Sequence, residues 1–212
     1  MVYVDRSPVL LASADALANA LLRRVPSIRF GIAESRSERE AVYRLRYQVV
    51  IDHGWARPED LPDGQERDSY DDEATLVVGW EAGTLAAASR LVFPSPRYRL
   101  PTEAVFDVEV EPRGQVADMG RQIVARAYSD IQHRVFAGLL ARTWLEARSR
   151  GASYVCGDFS ASMTRLYRRL GFELVALGPG RQYWKEERFP LLVDVAASVP
   201  KLSAMWGAVG GR

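Results

Sequence analysis

The sequence predicts an α+β fold, with helices flanking one mixed, mostly antiparallel central sheet. Three observations predict it. Thr75 to Trp80 and Leu85 to Phe93 are apolar runs joined by the short turn Glu81-Ala82-Gly83-Thr84, the pattern of an antiparallel pair. From Gln115 onward strand, helix, strand, helix and strand patterns alternate. No internal repeat and no linker divides the 212 residues, so the length suits one domain over 29–198. An N-terminal helical segment over 1–28 precedes that domain, and 199–212, glycine-rich from Lys201 to Arg212, reads as a loosely held tail.

The elements follow in chain order. Pro8 to Leu22 carries Leu10, Leu11, Ala14, Leu17, Ala18, Leu21 and Leu22 at helical spacing. That run falls short of the ~20 residues of a membrane span, and Asp15 interrupts it. Asp5 and Arg6 cancel where a secretory signal would be basic. The segment therefore reads as an amphipathic helix that packs on the domain or on a partner, with contact at a membrane surface as an alternative. Arg29 to Ala33 is a first strand. From Glu38, Val42, Leu45 and Val49 recur at three and four residues, a helix that stops near His53-Gly54. Arg57 to Gln65 is an exposed loop. After the strand pair, Pro94-Ser95-Pro96 ends the second strand, and Gln115 to Tyr128 is the next one. Phe136, Leu139, Leu140 and Leu145 mark a helix closed by Gly151, and Ala152 to Cys156 is a buried strand. Ser160 caps a helix striped by Met163, Leu166, Tyr167 and Leu170. Phe172 to Leu177 and Gln182 to Glu187 close the sheet around Gly178-Pro179-Gly180.

Composition excludes several classes of function. Apolar residues make up 48% and charged ones 26%, the balance of a folded globular chain. Lys and Arg number 28 against 27 Asp and Glu, a net of +1, too even for a non-specific polyanion binder. The single cysteine, Cys156, rules out a disulfide framework and fits a reducing, cytoplasmic compartment. Two histidines, His53 and His133, make a metal cage improbable, so no metal is expected. Carboxylates, arginines and backbone are left to do the chemistry.

Three polar clusters interrupt the pattern. Asp68 and Asp71, three apart beside Tyr70, suit capture of a cationic small molecule or form a solvated acidic turn. Arg90 stands in an otherwise apolar strand, either at an edge or holding a carboxylate. Asp118-Met119-Gly120-Arg121 lies in the middle strand, and a glycine there marks a bulge or a close approach. A bulge frees a backbone N–H that can polarise a carbonyl about to become an oxyanion. The plain alternative is an ion pair beside a packing glycine.

Tyr167-Arg168-Arg169-Leu170-Gly171-Phe172, a Tyr-x-x-x-Gly-Phe pattern between helix and strand, resembles the last motif of the GNAT N-acyltransferases. Arg46, Trp55, Asp68, Asp71, Arg90-Leu91, Phe106 and the pair Asp118-x-x-Arg121 then follow the order and spacing of the acyl-homoserine-lactone (autoinducer) synthases. That GNAT-like branch includes the N-acyl amino acid synthases, and the resemblance covers roughly residues 29 to 190. The chain departs from the lactone synthases at Val50, usually aromatic, at Asp118, usually Glu, and at Gly120 and Gln122, usually Ser and Phe. The glycine-rich phosphate loop of coenzyme A-dependent GNATs is replaced by Ser129 to Arg134.

The resemblance implies a GNAT-like fold and direct transfer of an acyl group from a thioester to an amine. The donor would be acyl carrier protein or coenzyme A, the acceptor S-adenosylmethionine or a related amino acid, with no tightly bound cofactor. With S-adenosylmethionine a lactone would follow, whereas with an ordinary amino acid the reaction would stop at the amide. In this scheme Tyr167 protonates the leaving thiolate, backbone from Met119 and Gly120 to Gln122 holds the oxyanion, and Asp118 orients Arg121 or relays a proton. Asp68 and Asp71 meet the substrate's positive charge, Arg90 and Arg121 hold carboxylates, and Arg46, Trp55 and Phe106 belong to the substrate pocket. An acidic carrier protein would dock on Arg142, Arg148, Arg150, Arg165, Arg168 and Arg169. A coenzyme A-dependent acetyltransferase and a non-catalytic ligand-binding module are the alternatives.

Overall fold

The computed structural model describes residues 8–207, apart from the side chains of 129–133 and 207. Its helices are α1 (Pro8–Leu22), α2 (Arg36–Asp52), α3 (Pro101–Phe106), α4 (Gln132–Ser149), α5 (Ala161–Arg169) and α6 (Val195–Leu202). Its strands are β1 (Arg29–Ile32), β2 (Thr75–Glu81), β3 (Thr84–Val92), β4 (Val116–Val124), β5 (Tyr154–Ser160), β6 (Glu173–Ala176), β7 (Arg181–Tyr183) and β8 (Glu186–Asp194). They form one sheet in the order β1-β2-β3-β4-β5-β8-β6, with β7 also paired to β8. Every pairing is antiparallel except that of β4 with β5. The fold is the expected α+β, GNAT-like architecture.

Period-two burial sends alternate strand residues to two cores. Val77, Leu91, Ala117, Met119, Val155 and Val193 pack under α1, α4, α5 and α6. Leu76, Val78, Val92, Val116, Cys156 and Leu192 face the other way, toward α2 and Leu100. A capping box starts α2, with Glu38 N–H donating to Ser35 Oγ and Ser35 N–H to Glu38 Oε2. Helix α1 buries Leu11, Ala14 and Ala18, and its Asp15 accepts from Trp144 Nε1 of α4 at 2.8 Å. The expected helix therefore packs on the domain itself.

Four expectations are corrected. The tail drawn from residue 199 begins inside α6, which buries Leu202 and runs on to Trp206, whose indole N–H donates to the Leu170 carbonyl. The composition of Lys201 to Arg212 hid this, because the few apolar residues there pack on a surface that only the fold creates. Residues 208–212 lie outside the described set. Strand β4 ends at Val124, and Arg126–Ile131 is a 3-10 turn rather than strand. Gln182 to Glu187 is split by a turn at Trp184-Lys185, both at positive φ. Finally, β8 had no counterpart, because its charged start and internal Pro190 break the strand pattern.

Two irregularities in β4 shape the molecule. It pairs with β5 only from Val116↔Tyr154 to Asp118↔Cys156, then both strands continue without pairing to each other, to Val124 and Ser160. The sheet opens there as a notch. At its apex a Cβ on Gly157 would lie 2.5 Å from the Met119 carbonyl oxygen, so only glycine fits. The second irregularity is a bulge: Arg90 pairs with Gly120 and Ala88 with Ile123, which sets Arg121 and Gln122 against Ser89 alone. The bulge expected at Gly120 thus falls one residue later, with Arg121 itself in the left-handed region at φ 53°.

Candidate active site

A closed ring of ion pairs sits on the α2 side of the notch. Arg46 of α2 donates through Nε to Glu66 at 2.5 Å and grips Asp71 with both terminal nitrogens, at 2.7 and 3.1 Å. Glu66 also accepts from Arg121 Nε at 3.2 Å, and Arg121 Nη2 reaches Asp68 at 3.2 Å. Arg90 donates to Asp68 at 2.6 Å and lies 3.3 Å from Asp71, which closes the circuit. Three arginines thus alternate with three carboxylates. The loop after α2 supplies the acids, its turn capped by Asp68, which accepts from Tyr70 N–H. Helix α2, β3 and the β4 bulge supply one arginine each.

Most of this ring is shut off from water. Arg46, Glu66, Asp71 and Arg90 are all buried. Burial alone would raise the Asp71 pKa, but the Arg46 hydrogen bonds, then the charges of Arg46 and Arg90, hold it below its ordinary value. Burial likewise works against the Arg121 charge, and Glu66, Tyr183, Asp68 and Asp158 outweigh it, so its pKa rises. The side chain of Asp68 is 33% exposed and that of Arg121 13% exposed, so these two give the ring its open side. A Cβ on Gly120 would meet nothing within 4 Å, which leaves space beside them.

Asp71 therefore has a different place from the expected one. Both its oxygens are held by arginines inside the protein, and it also accepts the Asp68 N–H at 2.9 Å. Its cation is internal, so Asp68 alone of the pair faces the open side. Phe106, expected in the substrate pocket, is buried at the end of α3 and takes no part in the ring. Trp55 lies near the ring: its ring centroid is 6.4 Å from that of Trp184, over which the Arg121 guanidinium lies at 4.9 Å.

Asp118 is buried on the neighbouring stretch of β4, accepting the Thr102 N–H at 2.7 Å. Burial pushes its pKa up to about 6, with Asp158 adding to the rise and Thr102 and Arg90 opposing it. On the other side of the notch Tyr167 is buried against Phe159 at 4.9 Å and Phe172 at 5.1 Å. Its hydroxyl donates to Gln122 Oε1 at 2.6 Å, and burial raises its pKa. Tyr167 and Met119 also line an apolar cavity of about 70 Å³ beside α1, α4 and α6, with Leu21, Leu140, Trp144 and Trp206 among its walls.

Glu66, Trp184, Asp158 and Arg188 were not singled out in the sequence. Nothing in the sequence separates Glu66 from the other acids of its loop; its place follows from the ring, where it bridges Arg46 and Arg121. Asp158 pairs with Arg188 at 2.7 Å, and that arginine lies over Trp55 at 5.1 Å. Among the predicted docking arginines, Arg142 pairs with Glu146, Arg148 with Asp15 and Arg150 with Glu146. Arg165, Arg168 and Arg169 on α5 are exposed and have no ion pair among the described residues. Among those residues, too, no group of His, Cys, Asp and Glu could hold a metal, and no helix is long and apolar enough to cross a membrane.

A GNAT-like sheet with a parted β4–β5 pair, an ionic site on one face and an apolar cavity on the other defines an acyltransferase. The chain belongs to the N-acyl amino acid synthase FeeM family, whose model matches residues 41–185. Among solved structures it resembles FeeM, an N-acyl amino acid synthase from uncultured soil microbes, at 17% identity. That match covers 81% of this chain and 92% of that one, with a TM-score of 0.64. It resembles TofI, solved with an inhibitor and MTA, at 24% identity over 82% and 96% of the two chains, with a TM-score of 0.63. A third likeness is BjaI, a CoA-dependent acyl-homoserine lactone synthase solved with SAM and isopentyl-CoA. Its identity is 21% over 79% and 81%, with a TM-score of 0.59. None of the curated proteins matches the chain.

Proposed function

We propose that the chain moves an acyl group from an acyl carrier protein or coenzyme A thioester to the amine of S-adenosylmethionine or a related amino acid. The observation that carries this reading is the notch, which has the ionic ring on one side and an apolar cavity on the other. A thioester lying in the notch would send its acyl chain toward Leu21 and Trp144 and offer its carbonyl to the ring side. The acceptor would lie in the space over Gly120, its ammonium against Asp68 and its carboxylate against Arg121, with Trp55 and Trp184 as walls. Holding the two reactants in line converts an encounter into an intramolecular step.

Proton transfer completes the reaction. The ammonium must lose a proton before its lone pair can attack, and Asp118, with a pKa near 6, is the nearby carboxylate suited to accept one through water. The N–C bond forms, the C–S bond breaks, and the thiolate takes a proton from Tyr167. Arg46, Asp71 and Arg90 act by fixing the geometry of Asp68 and Arg121. The exposed α5 arginines would receive an acidic carrier protein. The family match favours a second form of the reading, in which an ordinary amino acid is acylated and the reaction stops at the amide.

Incubation with acyl carrier protein and coenzyme A thioesters, plus S-adenosylmethionine or single amino acids, tests this directly. Free thiol should appear only when an amine is present, and mass spectrometry of the product separates lactone from acyl amino acid. Arg121→Ala should lower that rate more than about ten-fold while the protein stays folded. Tight binding of an acylated ligand without thiol release would replace the enzyme with a binding module.

A further inference from the structure

Gln122 joins the two strands of the notch in a way the scheme above does not use. It lies in the part of β4 that no longer pairs with β5, and its Oε1 accepts from the hydroxyl of Tyr167, on the helix that follows β5. In this arrangement the Tyr167 hydroxyl occupies Oε1, and Nε2 points elsewhere. Nε2 is buried and has no hydrogen-bond partner among the described residues. Leaving such a donor unsatisfied costs about 1–3 kcal/mol, so its retention needs a reason. The residue beside it, Tyr167, lines the apolar cavity, where an acyl chain would lie.

We infer that the Gln122 side-chain amide is a catalytic hydrogen-bond donor, its Nε2–H directed at the thioester carbonyl oxygen, while its Oε1 holds the Tyr167 hydroxyl in place. This deepens the acyltransferase reading and rests on it. As the amine nitrogen bonds to the carbonyl carbon, the π pair moves onto oxygen and Nε2–H binds the resulting oxyanion. When the carbonyl re-forms, the electron pair of the C–S bond leaves with sulfur, and the thiolate takes the Tyr167 proton. The ammonium nitrogen gives up two protons, one through a carboxylate to solvent and one that restores Tyr167, so the balance is thioester plus ammonium to amide, thiol and one proton. The bulge serves this arrangement. Successive side chains alternate between faces in any strand, and the extra residue shifts that alternation, so that Arg121 falls in the ring and Gln122 on Tyr167.

The experiment uses the full chain, a panel of straight-chain acyl-CoA and acyl-pantetheine thioesters, and the variants Gln122→Leu and Gln122→Glu. Leu removes donor and acceptor at similar size. Glu keeps an acceptor for Tyr167 and removes the donor, so it serves if Leu does not fold. Either change should lower kcat roughly 10²–10³-fold, the usual effect of losing one oxyanion donor, with KM within about three-fold. Isotope-edited infrared spectra of bound thioester, without amine, should show the carbonyl stretch at lower frequency in the wild type than in either variant. A purely structural role would not move that band. Wild-type kcat in the variants, a loss confined to KM, or an unshifted band would each overturn the assignment. Absence of amine-dependent thiol release from the wild type itself would instead remove the acyltransferase reading, and this assignment with it.

Discussion

On the α2 face of the sheet six charged side chains hold one another in a closed ring, whereas across the same sheet the cavity beside Tyr167 is walled by alkyl and aromatic groups. Both regions are buried, yet they tolerate change differently. An ionic ring is specified member by member, because each charge removed from water depends on its partner. An apolar wall is specified only by volume, and neighbouring side chains share the effect of any replacement. The first region suits a fixed recognition task and the second suits divergence in the acyl group accepted.

Arg46→Met gives the largest expected effect and the sharpest test of this contrast. It leaves Asp71 and Glu66 facing a thioether, and breaking one partner of a buried pair costs about 3–5 kcal/mol. Denaturant unfolding should show a loss of that size. A loss below about 1 kcal/mol would mean that the carboxylates are hydrated and the ring is no stricter than the cavity.

Asp118 tests whether the polar face holds a group of a different kind, a buried carboxyl without an arginine partner among the described residues that changes charge near pH 6. Its pKa is raised to about 6 by burial, so the protonated form is favoured by folding. Its contribution is therefore fully present below the ordinary aspartate pKa and is lost as pH rises through about 6. At about pH 8 Asp118→Asn should be more stable than the wild type by up to about 3 kcal/mol, a gain that disappears near pH 4. The same variant should lose the limb of kcat/KM that rises through about pH 6. A gain independent of pH, or a surviving limb, would free Asp118 from both roles.

The contrast also explains what could be read in the sequence. Arg46, Asp68, Asp71, Arg90 and Arg121 stood out because charged residues in apolar segments are rare and costly, and the structure gathers all five into one ring. Their partners were less legible. Glu66 lies in a loop where acids are ordinary, and only three-dimensional closure of the ring makes it necessary. Asp71 was visible as a site residue, yet whether its partner is a substrate or Arg46 depends on burial, which spacing does not encode. The cavity left almost no trace in the sequence, since Leu21, Leu140 and Trp206 look like any core residues until α1, α4 and the chain end meet. The helix α6 and strand β8 were missed for the same reason, as packing overrode Pro190, Pro200 and a glycine-rich terminus.

A change on the apolar face should act on selectivity rather than on folding. Ala141 lines the cavity, and Ala141→Leu fills part of it. Stability should change by less than about 1.5 kcal/mol. The longest acyl chains that the wild type accepts should lose about 10–200-fold in kcat/KM, the usual worth of a methylene in an apolar pocket. Competition between thioesters of different length reads this directly, and an unchanged preference would place the acyl chain elsewhere.

The smallest expected effect lies outside both regions, on the two sets of arginines first grouped together. Arg142 of α4 is tied to Glu146, whereas Arg165, Arg168 and Arg169 of α5 stand in solvent without an ion pair among the described residues. A free surface arginine is available to an acidic partner, while a paired one must first give up its own acid. Charge reversal at Arg168 should therefore weaken use of an acyl carrier protein donor by about 0.2–1 kcal/mol, up to about five-fold, mostly through association and less at high salt. It should leave a pantetheine donor unaffected, because that donor carries no acidic protein to steer. Reversal at Arg142 should cost stability through repulsion with Glu146 and change the two donors alike. Equal loss with both donors at Arg168 would show that α5 acts on Tyr167 from within rather than on a partner from outside.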